Sequence, residues 1–178
     1  MKIKFTHLLA TGILLTCSAP LSAGAPYLGV ENSAVCSSEN SVFGRQCKHH
    51  GRYLIGYQFP KQESWQMGME VGLTYTPTFR STIFQASYQN NGIDVGVITK
   101  YFFDPNWYGL GKLGMQATYA KSDLFQQSAT YTSIHAKSAL GVGYQFTNGL
   151  ALHFLLNHKA EDNGYANFHP SLGILYHF

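Results

Sequence analysis

Charge is what this sequence has least of. Lys, Arg, Asp and Glu make up 12% of its 178 residues, against about 25% in an ordinary soluble domain. A net charge of +3 is too small to mark a phosphate-tracking surface, so no nucleic-acid partner is expected. Long apolar runs are missing as well. The run from Leu8 to Leu15 falls short of the about 20 residues a helix needs to cross a bilayer, and nothing comparable follows it. A helical membrane protein is therefore excluded. Cysteine is limited to Cys17, Cys36 and Cys47.

The short apolar run does have a reading. Lys2 and Lys4 precede it, and the small residues Ser22, Ala23 and Ala25 follow, which is the layout of a secretory signal peptide. The sequence predicts a signal peptide over residues 1–23, or over 1–25 if the A-x-A rule sets the cut, and one domain over 24–178. That length leaves no room for a second domain. Cys17 follows Leu15-Thr16, a poor fit to a lipid-attachment motif. Cys36 and Cys47 remain, and an even count in an exported chain reads as one disulfide holding a loop in shape. Metal binding with His49 and His50 is the rival reading.

What the sequence has in abundance is aromatic residues, 15%, and 18 glycines, arranged with a period of two. From Trp65 to Tyr75 one face carries Trp65, Met67, Met69, Val71, Leu73 and Tyr75, and the other Gln66, Gly68, Glu70, Gly72 and Thr74. Such alternation puts the two sets on opposite faces of a strand. The same pattern recurs over Tyr27–Val35, Arg52–Phe59, Ile93–Phe103, Lys112–Tyr119, Ala139–Phe146, Leu150–Asn157 and Ser171–Phe178, giving eight segments. A soluble sandwich also alternates, with its apolar face inside. Here the polar face is small and glycine-rich with isolated charges, while the apolar face begins or ends in Trp, Tyr or Phe, as lipid and its two interfaces require. Short links with turn-forming residues, at 60–64, 104–106 and 147–149, alternate with long polar ones at 36–51, 76–91, 121–134 and 160–169. The prediction is an all-β, eight-stranded, antiparallel, up-and-down transmembrane barrel with short periplasmic turns and long extracellular loops.

Several motifs carry a resemblance. They are the opening Ala25-Pro26-Tyr27-Leu28-Gly29-Val30, the strand end Ile55-Gly56-Tyr57-Gln58-Phe59, its echo Val142-Gly143-Tyr144-Gln145-Phe146-Thr147, and the closing Leu172-Gly173-Ile174-Leu175-Tyr176-His177-Phe178. Through them the whole of 24–178 resembles the small eight-stranded outer-membrane barrels: the OmpA-type transmembrane domain, OmpX and the opacity-protein surface antigens. The resemblance implies export through the periplasm to the cell outer membrane, and contact with outer-membrane lipid and lipopolysaccharide. It also implies an assembly signal at Ile174, Tyr176 and Phe178, read by the barrel-assembly machinery.

The chemistry-bearing residues are few. Glu31, Arg52, Glu70, Asp94, Lys100, Lys112 and Lys137 fall on the lumen face by parity. An eight-stranded barrel leaves only enough interior for side chains, and unpaired charges there are costly, so a paired-ion network is expected. A narrow ion channel built from the same residues is one alternative. Another is a lipid A or phospholipid-modifying enzyme, for which Ser138, His135 and Glu161 are the nearest approach to a nucleophile, base and orienting acid. Residues three apart on a strand point to opposite faces, so this constellation is not expected to form. No cofactor, metal or catalysis is expected. The leading reading is a structural or surface-interaction protein whose extracellular loops, with Phe79, Phe84, Tyr88, Tyr131, Tyr165 and Phe168, meet host or environmental ligands.

Overall fold

The computed structural model describes residues 24–36, 47–81, 85–124, 127–160 and 166–178. The signal-peptide reading of 1–23, and the candidates Phe84, Glu161 and Tyr165, lie outside them. Nine strands follow one another: β1 (Ala25–Cys36), β2 (Cys47–Gln58), β3 (Trp65–Tyr75), β4 (Phe79–Ser81), β5 (Ala86–Phe102), β6 (Trp107–Leu124), β7 (Gln127–Gln145), β8 (Leu150–Ala160) and β9 (Ala166–His177). All pair antiparallel with their neighbours. β3 pairs with β5, and β1 pairs with β9, from Tyr27↔His177 to Ser33↔Ser171. Those two pairings close a ring of eight strands, with β4 as a short extra strand hydrogen-bonded to the start of β5.

Alternation decides which way each side chain points, and the barrel is inside out relative to a soluble protein. The outer wall carries Leu28, Ile55, Met67, Val71, Ile93, Val97, Leu113, Leu140, Phe154 and Leu172, all exposed. Glu31, Arg52, Glu70, Asp94, Lys100, Lys112, His153 and Asn157 are buried inside. Aromatic pairs ring one end of the wall: Trp65 on Tyr101 at 4.8 Å between centroids, Trp107 on Tyr144 at 5.1 Å, Tyr144 on Phe146 at 4.8 Å and Tyr176 on Phe178 at 5.2 Å. This is the end of the short turns.

Local chemistry explains those turns. At 146–150 the Phe146 N–H donates to the Leu150 carbonyl at 2.8 Å, Asn148 Oδ1 accepts from the Leu150 N–H, and Gly149 sits at φ +85°, a left-handed conformation that glycine adopts without strain. Asp104 Oδ1 accepts from the Asn106 N–H at 3.1 Å, an Asx turn that reverses the chain between β5 and β6.

The long-loop end differs from the expected irregular links. β5, β6 and β7 reach 17, 18 and 19 residues, against 11 or 12 for β1, β2, β3, β8 and β9. The β6–β7 ladder continues to Leu124↔Gln127, so most of 121–134 is regular hairpin. Ser87 and Ser128 donate to Asp123 near its tip at 3.0 and 2.5 Å, and these two donors hold the Asp123 carboxyl below its ordinary range. Phe79 is buried, along with Ala86 and Ala120. It pairs with Tyr88 across β4–β5 and is not a free loop aromatic.

Candidate functional site: an ion cluster that fills the lumen

Seven lumen charges were legible from parity, and the structure brings six of them together. The centre is Arg52 on β2. Its Nη1 donates to Glu31 Oε2 on β1 at 2.7 Å, its Nη2 to Glu70 Oε1 on β3 at 2.9 Å, and its Nε to Asp94 Oδ2 on β5 at 2.9 Å. Nη2 also reaches Asp94 Oδ1, completing a two-pronged contact. A planar guanidinium presents five donors in a fixed fork, which suits one cation serving several carboxylates.

The other cations come from the opposite wall. Lys112 Nζ on β6 lies 2.5 Å from Glu31 Oε1 and 3.1 Å from Glu70 Oε2, and Lys137 Nζ on β7 lies 3.8 Å from Asp94 Oδ2. The register explains the convergence. Glu31 sits opposite Arg52 in the β1–β2 ladder, and Gly72, opposite Asp94 in the β3–β5 ladder, has no side chain to obstruct the Arg52–Asp94 contact.

Two members were missed in the sequence. His153 Nε2 on β8 lies 3.0 Å from Glu31 Oε1, and the Tyr27 hydroxyl on β1 donates to Glu70 Oε2 at 3.0 Å. Both are inward by the same parity that identified the charges, so polarity together with parity could have found them. Beyond the cluster, Gln116 donates to Thr74 Oγ1 at 3.3 Å. A residual space of about 20 Å³ lies beside Arg52, Glu70, Asp94, Lys112 and Lys137, room for about one water.

Lys100 departs from the expected network. It is buried on the lumen face, but its Nζ lies 4.6 Å from the centroid of the Tyr108 ring and has no hydrogen-bond partner among the described residues. Its backbone register explains this. Lys100 pairs with Leu110, two residues nearer the turn end than Lys112, which puts it beside aromatic neighbours and not carboxylates.

The remaining candidates separate. His135 meets Ser133 inside the barrel at 2.6 Å, whereas Ser138 faces outward and lies 3.5 Å from His158. His135 and Ser138 thus occupy opposite faces, as their spacing requires. His49 and His50 also diverge: His49 lies 3.1 Å from Asn32 and His50 lies 2.8 Å from Thr76. No group of three or more metal-ligating side chains occurs among the described residues. Cys36 and Cys47 are direct partners in the β1–β2 register. Ile174, Tyr176 and Phe178 stand exposed on the outer wall.

A closed barrel with an apolar outer wall, an aromatic belt and an ion-filled lumen defines a transmembrane β-barrel protein of the outer membrane. Residues 8–178 match the family model described as outer membrane protein beta-barrel domain, and the chain belongs to that family. No curated protein matches it. Among solved structures it is similar to Ail, the attachment invasion locus protein of Yersinia pestis, with TM-score 0.65, 13% identity, and coverage of 88% of this chain and 99% of that one. It is also similar to Neisserial surface protein A, with TM-score 0.58, 13% identity and coverage of 88% and 97%. A third likeness is to the N-terminal β-barrel domain of Pseudomonas aeruginosa OprF, with TM-score 0.55, 12% identity and coverage of 87% and 99%. Ail has also been solved with the heparin analogue sucrose octasulfate. At these identities the likeness shows the fold.

Proposed function

We propose that this outer-membrane barrel is a non-enzymatic surface-interaction protein. Its lumen is a sealed support, and its extended β5–β6–β7 edge presents the contact surface. The observation that carries this reading is the difference in strand length. About 9–11 residues cross the bilayer, so β6 and β7, at 18 and 19 residues, continue well above it as ordered hairpin. Tyr131 stands exposed on that hairpin, where an aromatic side chain supplies contact area at little entropic cost. Attachment in Ail, named for that role and solved with a sulfated ligand, is a likeness that supports the same reading. A disulfide between Cys36 and Cys47 would tie β1 to β2 at the loop end of their ladder.

Replacing residues 122–129 with an Asn-Gly turn leaves Lys121 and Thr130 paired and the barrel intact, because a two-residue turn of this kind closes a hairpin. Cells displaying this variant are expected to keep a heat-shifted folded band on gels and to lose attachment to sulfated glycan or to epithelial cells. Full attachment by this folded variant and by a folded Tyr131→Ser variant would remove the hairpin from the function.

A further inference from the structure

The lumen carries a charge that the ion cluster does not balance. Glu31, Glu70 and Asp94 set three carboxylates against the three cations Arg52, Lys112 and Lys137, and the six are joined by contacts of 3.8 Å or less. Lys100 is a fourth cation, 1% exposed, and stands outside that set. The carboxylate whose charge reaches it, Glu70, is already bonded to Arg52, Lys112 and the Tyr27 hydroxyl, and the charge of Lys112 opposes it. An ammonium buried without a counter-charge is strongly unfavourable.

Its surroundings share the same shortage. Lys100 Nζ, Gln58 Nε2 and the Tyr108 hydroxyl are all buried, and none has a hydrogen-bond partner among the described residues. They come from β5, β2 and β6 and stand in the layer between the ion cluster and the short turns. Lys100 Nζ lies 4.6 Å from the Tyr108 ring centroid. Gln58 and Ile98 flank Gly68, which has no side chain to part them, and Lys100 is the next inward residue of β5. His177 Nε2 and His153 Nδ1 are unpartnered too. Their rings donate from the other nitrogen, to the Gly149 carbonyl and the Glu31 carboxylate, so in the neutral ring these atoms are acceptors. That leaves three unmatched donors on three strands, one of them charged, and a negative acceptor suits them best.

We propose that the turn-end layer of the lumen binds one monatomic anion, a chloride ion, on Lys100 Nζ, Gln58 Nε2 and the Tyr108 hydroxyl. The donors and the packing set its class. A carboxylate or phosphate is best held by a two-pronged guanidinium, and Arg52 is committed to the cluster. Phe102 packs on Tyr108 at 5.3 Å, so the occupant is close to a water in size. With the anion in place, Glu31, Glu70 and Asp94 on one side and Arg52, Lys100, Lys112 and Lys137 on the other sum to zero. The site is separate from the hairpin and does not rest on the attachment role.

The test is urea unfolding of the full barrel in vesicles of neutral lipid, in sodium chloride and in sodium gluconate of equal ionic strength. Gluconate is too large for the layer and sets the baseline. At about ten times its dissociation constant, chloride multiplies the wild-type folding constant by about tenfold. Lys100→Met keeps the volume and removes the charge, so it is expected to be equally stable in both salts and, in gluconate, no less stable than wild type. Tyr108→Phe keeps the ring and removes the hydroxyl, and its chloride gap is expected to shrink. Crystals of wild type refolded in bromide should show an anomalous scatterer in contact with Lys100 Nζ. If Lys100→Met does not fold, those crystals and Tyr108→Phe decide. A wild type indifferent to the salt, a gap that survives in folded Lys100→Met or is undiminished in Tyr108→Phe, or bromide absent from Lys100 would overturn the site. A Lys100 that has lost its proton gives the first of these results.

Discussion

Arg52→Met is expected to destabilise the barrel by about 3–5 kcal/mol, the cost of removing one partner from a buried ion group. The substitution conserves volume and takes away the donors that Glu31, Glu70 and Asp94 share. Lys112 still reaches Glu31 and Glu70, but the only cation left to Asp94 among the described residues is Lys137 at 3.8 Å, beside a Thr74 hydroxyl at 3.5 Å. Three carboxylates would then crowd a lumen with too few cations. Urea unfolding in lipid vesicles, followed by the loss of the heat-shifted band, measures the effect. A second substitution separates charge from packing: Arg52→Met combined with Asp94→Asn should recover a substantial part of the loss, because it removes the carboxylate left worst paired. An unchanged midpoint for Arg52→Met would show that water carries the cluster and that the lumen is not sealed by it.

The second large effect is expected at Gly143. Tyr108 is its cross-strand partner, and a Cβ at Gly143 would overlap the Tyr108 ring. The arrangement is repeated across the barrel, where Gly56 pairs with Tyr27 and leaves room for that ring. Both tyrosines are completely buried, so neither can swing into solvent. Gly143→Val must push Tyr108 off Phe102, on which it packs at 5.3 Å, or shift the β6–β7 ladder. Overpacking of this kind costs about 1–3 kcal/mol, and Tyr108→Ala in the same chain should relieve the strain while leaving a void. The double variant should therefore fold better than Gly143→Val alone, read again by urea midpoint. Additive losses in the two single variants would mean that the glycine serves something other than the ring.

These glycines also explain how much the sequence disclosed. The echo between Ile55-Gly56-Tyr57-Gln58-Phe59 and Val142-Gly143-Tyr144-Gln145-Phe146 was visible as text. In the structure each copy places a glycine beneath an inward tyrosine ring and a Tyr/Phe pair on the outer belt. β3 was legible to the residue, Trp65–Tyr75, because lipid on one side and a packed lumen on the other force strict alternation. The upper halves of β6 and β7 were not. Above the bilayer both faces meet water, so Lys121, Ser122 and Asp123, and then Ser128 to Thr132, lose the apolar contrast while the backbone stays paired. Periodicity reports the environments of the two faces and is silent where they are alike.

The same physics limited the reading of the lumen. Parity assigned the inward charges, but it gives no height along the barrel, so Lys100 was grouped with ions from which its register separates it. A search for formal charge alone also passed over His153 and Tyr27, which parity and polarity taken together place on the inward face.

The cluster has a consequence for the order in which the barrel is made. Its carboxylates all come early in the chain: Glu31, Glu70 and Asp94 lie on β1 to β5 together with Arg52, while Lys112 and Lys137 come from β6 and β7. With Lys100, also inward on β5, a sheet that has laid down only β1 to β5 carries three carboxylates against two cations on its concave face and is net negative, and the sheet that follows is positive. Attraction between the two curved halves works in the direction of ring closure before the β1–β9 seam has formed a single hydrogen bond. Refolding into vesicles should accordingly slow as salt screens that attraction, while a chain carrying Lys112→Gln and Lys137→Gln should fold slowly at every salt concentration.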